Sequence, residues 1–144
     1  MADELKDAKD GLKTRLETIS GLRIYDHVPD SGPNEYPAAV LQFLDRTARS
    51  SGTLGGSHFE GRMSLTLLIS KANDLEAYDE LDKYMSPLGT LSIEAAVDGD
   101  NTWGGNVDAG YLESVEDIRH QEMPWGGRYV AANFVFGFLK QVDS

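Results

Sequence analysis

Cysteine is absent from the 144 residues, which excludes disulfide cross-links, thiolate metal sites and cysteine nucleophiles. The core has to hold by packing alone. Long apolar runs are missing as well: nothing approaches the roughly 18 consecutive apolar residues of a membrane-spanning helix. The opening Met1-Ala2-Asp3-Glu4 is acidic where a secretory leader would be basic and then apolar. The expectation is a protein made and kept in the cytoplasm, with no membrane partner. Positive charge is scarce, with 13 Lys and Arg against 24 Asp and Glu and a net charge of -11. Binding a nucleic acid through its backbone needs clustered Lys and Arg. Here the segments from Asp74 to Asp82 and from Asp98 to Glu122 are strongly acidic, and only Arg46, Arg49 and Arg62 gather, around a Gly-rich stretch.

Catalytic signatures are lacking too. His27, His58 and His120 are the three histidines, and they are too far apart to form a ligand pair at helical spacing, so no zinc site is expected. No Gly-x-Ser-x-Gly nucleophile elbow occurs. Gly52-Thr53-Leu54-Gly55-Gly56 lacks the Lys-Ser/Thr of a phosphate loop. Asp98, Asp100 and Asn101 could start a calcium loop, but Trp103 stands where an EF-hand turn needs glycine and Ala109 where it needs a bidentate glutamate. The same two aspartates could be an acid/base pair, yet no evident nucleophile accompanies them. The expectation is a non-enzyme with no cofactor and no metal.

What the chain has is patterning. One domain's worth of length and 40% apolar content suffice for a core. Leu5, Ala8, Leu12, Leu16 and Ile19, at spacings of three and four, predict a one-sided helix from about Asp3 to Thr18, ended by Gly21. Leu22 to Val28 alternates as a short strand closed by Pro29. Strands follow from Ala38 to about Thr47 and from Phe59 to Ser70, the latter with Met63, Leu65, Leu67 and Ile69 on one face. Asn73 with Glu76 makes a capping box for a helix whose apolar face is Leu75, Tyr78, Leu81 and Met85, stopped before Pro87. Ser92 caps a second run, Ile93 to Val97. The last two strands span about Val107 to Gln121 and Arg128 to Val142, the final one alternating Val130, Ala132, Phe134, Phe136 and Phe138. The order predicts a single α+β domain: a mostly antiparallel or mixed sheet of about five strands with helices packed on one face and two edges available for side-by-side association.

Leu81-Asp82-Lys83-Tyr84-Met85, then Gly89-Thr90-Leu91-Ser92-Ile93-Glu94-Ala95-Ala96-Val97, then Thr102-Trp103-Gly104-Gly105 resembles the tail terminator, or tail completion, proteins of siphovirus-type phages. The N-terminal helix, the phrase Gly21-Leu22-Arg23-Ile24-Tyr25-Asp26-His27-Val28-Pro29, the Gly-rich hairpin near residue 55 and the closing aromatic strand occur in similar order, so the resemblance covers nearly the whole chain. It implies a structural virion protein at the tail-neck junction, assembled in the host cytoplasm. Such a protein caps the tail tube, ends its polymerisation and offers a docking ring to head-completion or neck proteins. Self-assembly into a ring, typically six-fold in that family, would let DNA pass through the lumen without specific binding. An acidic lumen would repel phosphate, although acidity also simply confers solubility.

Candidate assembly contacts are Arg46, Arg49, Gly55, Gly56 and Arg62 of the long hairpin, and Trp103 and Trp125 beside their Gly-Gly pairs. Tryptophan is a frequent interface anchor, but each indole could equally tuck under its own loop, and the hairpin could be a solvated one. The rival readings are another neck protein, such as a head-closure or head-tail adaptor protein, a small hydrolase using Asp98 and Asp100, and a ligand-binding module with a deep apolar pocket.

Overall fold

The first helix, α1, runs from Glu4 to Leu16 in the computed structural model, which describes residues 4–30, 32–33, 36–50, 57–69 and 74–142. At residues 4, 46–50, 57–58, 74 and 141–142 it describes the backbone alone. Ala8, Leu12 and Leu16 are buried along one stripe of α1, and Ile19 continues it past the helix end. Gly21, at φ 82, then turns the chain in the left-handed region that glycine enters without a Cβ clash. Strand β1 is shorter than its alternation predicts and covers only Arg23–Tyr25. At Asp26 the backbone carbonyl is taken by the ammonium of Lys9, and the carboxylate bonds His27 Nδ1 at 2.8 Å. One backbone acceptor there is thus taken by a lysine side chain rather than by a strand partner.

The remaining elements are β2 (Ala38–Ser50), β3 (Ser57–Ile69), α2 (Asp74–Met85), α3 (Ile93–Asp98), β4 (Ala109–Glu122) and β5 (Arg128–Val142). They form one five-stranded sheet in the order β1-β2-β3-β5-β4. β1 lies parallel to β2 and every other pairing is antiparallel, so the sheet is mixed and the domain is α+β. Met63, Leu65, Leu67 and Ile69 of β3 stand opposite Phe136, Phe134, Ala132 and Val130 of β5. All eight are buried in the core that includes the inward stripes of the three helices. Burial of each phenylalanine contributes on the order of 1.5–3 kcal/mol.

Helix α2 sits rotated from its predicted face. Ala77, Leu81 and Tyr84 are buried, Tyr78 and Met85 flank them, and Leu75 is 72% exposed. The buried positions are spaced i, i+4, i+7, a tighter stripe than one drawn through the largest apolar residues. Asn73, the predicted cap, lies outside the described residues. Ser92 does cap α3: its Oγ accepts from the Ala95 N–H at 3.0 Å and donates to the Ser86 carbonyl at 2.5 Å. One hydroxyl thereby ties the end of α2 to the start of α3.

The two edges of the sheet differ: β1 covers only Ala38–Val40 of β2, and from Leu41 to Ser50 the strand pairs, among the described residues, with β3 alone. β1 offers three residues, and β4 carries two register shifts, between Leu112 and Ser114 and between Glu116 and Arg119, with Asp117 at φ 53 inside the second. Bulges of this kind break the ladder and twist an edge away from partners. The β4 edge is blunted in this way, whereas the outer edge of β2 past Val40 is not covered by β1.

Candidate assembly surfaces

The β2–β3 hairpin pairs continuously from Ala38↔Leu68 to Ser50↔Ser57, with a single shift between Phe43 and Asp45. That bulge re-aims the strand. It turns out Leu44, 49% exposed, and leaves Phe43 41% exposed, with Lys9 Nζ 5.2 Å from the Phe43 ring centre. Past the bulge, Asp45 stands opposite Arg62 on the face away from the helices. Arg62 donates from Nε to Asp45 Oδ1 at 3.0 Å and from Nη2 to Oδ2 at 2.5 Å, and its Nη1 reaches Glu113 Oε1 on β4 at 3.5 Å. It can reach that far because its β5 neighbour is Gly137, which presents no side chain between them. The Arg62 hydrogen bonds, and then its charge, hold the Asp45 carboxyl below its ordinary value and push the guanidinium up. Asp45, Glu60, Arg62, Tyr111 and Glu113 line an open notch of about 380 Å³. Both partners of the main ion pair are exposed, so it orients Arg62 more than it stabilises the fold.

Of the other predicted hairpin contacts, Arg46 pairs with Gly61 and Arg49 with His58 through the backbone, while their side chains, and Gly55 and Gly56 altogether, lie outside the described residues.

Trp103 belongs to the core, which corrects its candidacy as a surface contact. It is 0% exposed, its ring lies 5.9 Å from that of Phe138, and Gly110 makes room for it. The local cause is a loop wound by Trp103, Gly104 and Gly105 at φ 49, 73 and 85. Asp100 organises that loop. Its Oδ1 accepts from Thr102 N at 3.0 Å and from Thr102 Oγ1 at 2.6 Å, and its Oδ2 accepts from Gly104 N at 2.9 Å. These bonds depress its carboxyl pKa, led by the one from the Thr102 side chain. Both oxygens of Asp100 are thus committed to shaping the turn that drives the indole inward.

Trp125 occupies the β4–β5 turn, closed by Gly126 N donating to the Met123 carbonyl at 2.8 Å. The ring is half-buried against Gly32 and donates from Nε1 to Tyr129 Oη at 3.3 Å. Tyr129 in turn stacks on Tyr36 at 5.2 Å and accepts its hydroxyl proton at 2.8 Å. Trp125 therefore rests partly on its own chain and offers only its remaining edge to a partner. Burial first, and then the bond to Tyr129, raises the Tyr36 pKa.

Among the exposed apolar positions that escaped the sequence reading are Leu75, Leu44 and Leu88. Leu75 was assigned to the core. Leu44 was hidden by a bulge that no residue pattern announces. Leu88, 79% exposed, sits between Pro87 and Gly89, and an apolar residue in so unstructured a link was the available signal. Among the described residues no group of three or more His, Cys, Asp or Glu could hold a metal ion, and no helix is long and apolar enough to cross a membrane. In comparisons with known proteins the chain matches no family model, and no curated protein matches it.

Proposed function

We propose that this chain is a structural virion protein that caps a phage tail tube, ends its polymerisation and provides the ring on which head-tail joining proteins dock. The reading rests on the resemblance of residues 81–105 to tail terminator proteins. One observation carries it further: those residues are the builders of the α2–α3 connection, with Ser92 joining the two helices and Trp103 seated in the core. A resemblance that falls on residues this deeply structural favours a shared architecture over a shared surface accident. The mechanism is surface complementarity, with no bond made or broken. Arg62, Trp125 and the hairpin bearing Arg46 and Arg49 remain the proposed contacts, and Trp103 acts through the fold beneath them.

Co-sedimentation with preformed tail tubes tests the assignment. A terminator pellets with tubes at a stoichiometry set by the number of tube ends. A head-closure or adaptor protein stays in the supernatant, and that result would move the chain to the head side of the neck.

A further inference from the structure

Tyr36 and Tyr129 are, among the described residues, the one pair of the chain's six tyrosines whose rings stack. They come from distant parts of the sequence, 93 positions apart. Tyr36 lies on the link that carries the chain from β1 to β2, and Tyr129 lies on β5 just past the β4–β5 turn. The link is laid against that turn at two points, Gly32 beside the Trp125 indole and Tyr36 on Tyr129. The ring centres are 5.2 Å apart with 25° between the planes, whereas the hydroxyl oxygens are only 2.8 Å apart. The two rings therefore converge toward their hydroxyl ends, which brings together the carbons ortho to the hydroxyls. Those carbons share the unpaired electron of a phenoxyl radical and are where two such radicals couple.

We propose that Tyr36 and Tyr129 form a site of oxidative cross-linking, at which a one-electron oxidant of the peroxidase class joins the two rings as dityrosine. Each phenol gives one electron to the oxidant and one proton to water, and the two radicals pair their electrons in a carbon–carbon bond between ortho carbons. The hydrogen on each of those carbons then leaves as a proton while each ring oxygen takes one up, which restores both phenols. The net loss of two hydrogens is matched by reduction of one hydrogen peroxide to two waters. The hydrogen bonds suit Tyr129 to the first step. Trp125 Nε1–H, Tyr36 O–H and Tyr129 O–H bring three hydrogens to two contacts, of 3.3 Å and 2.8 Å, so one hydrogen stands outside this network. With Trp125 and Tyr36 both donating to Tyr129, it is the Tyr129 hydrogen, and it can leave without either bond breaking. The half-buried indole of Trp125, itself oxidisable and bonded to the same oxygen, gives an oxidant at the surface a route inward. The product ties the β1–β2 link to β5 and closes a long loop in a chain that has no cysteine to do so, which restricts the unfolded chain.

The test treats the purified protein, kept dilute, with peroxidase and limiting hydrogen peroxide. Trypsin then releases Tyr36 within residues 24–46 and Tyr129 within residues 129–140. The expected result is these two peptides joined, lighter than their sum by two hydrogens and carrying dityrosine fluorescence, with fragmentation placing the bond at Tyr36 and not at Tyr25. The cross-linked protein should unfold at a higher urea concentration than the untreated one. Tyr36→Phe and Tyr129→Phe should each abolish the product, while Tyr111→Phe, which removes a tyrosine 46% exposed and outside the pair, should leave its yield unchanged. Oxidation confined to Trp125, an absence of dityrosine, or dityrosine joining two chains through Tyr111 would overturn the proposal. The wild-type peptide map decides the matter even if a phenylalanine variant fails to fold, and the tube co-sedimentation assay decides the terminator reading separately.

Discussion

Gly110 of β4 faces the indole of Trp103 so closely that a Cβ built on it would lie under 3.0 Å from three ring atoms. The tryptophan is fully buried and held by the Asp100 turn, so it cannot yield. Gly110→Ala should cost about 1–3 kcal/mol through overpacking, and Trp103→Ala about 3–5 kcal/mol through the cavity it leaves, both measured by urea unfolding. Gly137 provides the contrast: a Cβ there would also crowd a ring, but that of Tyr111, which is half-exposed and free to swing outward. Gly137→Ala should shift stability by no more than about 0.5 kcal/mol.

Ser92 is 1% exposed and serves two neighbours at once. Ser92→Ala removes the cap of α3 and leaves the Ser86 carbonyl without its donor, so the loss should be about 2 kcal/mol, at the upper end of capping effects. Ser92→Thr, which retains the hydroxyl, should recover most of it in the same denaturation series.

Acid should act partly through Asp100. Its folded pKa lies below the ordinary 3.8, so its contribution is fully present above that value and is lost as pH falls through the depressed one. Urea midpoints of wild type and Asp100→Asn, compared between pH 6 and pH 3, should fall more steeply for the wild type. Equal slopes would mean that the loop does not depend on the carboxylate.

Alkali should act in the opposite sense through Tyr36, whose pKa is raised. The folded state holds this phenolic proton more tightly than the unfolded chain. Stability is therefore intact below about pH 10 and declines as pH climbs toward the folded value. Tyr36→Phe cannot ionise, and its unfolding midpoint should vary less between pH 9 and pH 11.

The sequence made the sheet legible because period-two alternation in β3 and β5 is nearly unbroken, and the Ser92 cap because its residue type and position coincide. Leu75 was misplaced because a small residue, Ala77, marks the buried stripe of α2, and size is a poor guide to which face turns inward. Trp103 was undecidable from its Gly-Gly neighbours. The deciding partner, Gly110, lies in the next strand and becomes relevant only once that strand's register is known. Bulges were invisible for a related reason: the extra residue that exposes Leu44 is defined by the partner strand, not by the residue itself. The assembly surfaces, which depend on such particulars, were correspondingly less legible than the core.

Termination itself is most directly tested by negative-stain electron microscopy of the protein mixed with polymerising tail tube protein from the same genome. The account predicts that tubes stop growing and carry a ring of density at one end. Tubes that grow without limit and end bare would contradict it.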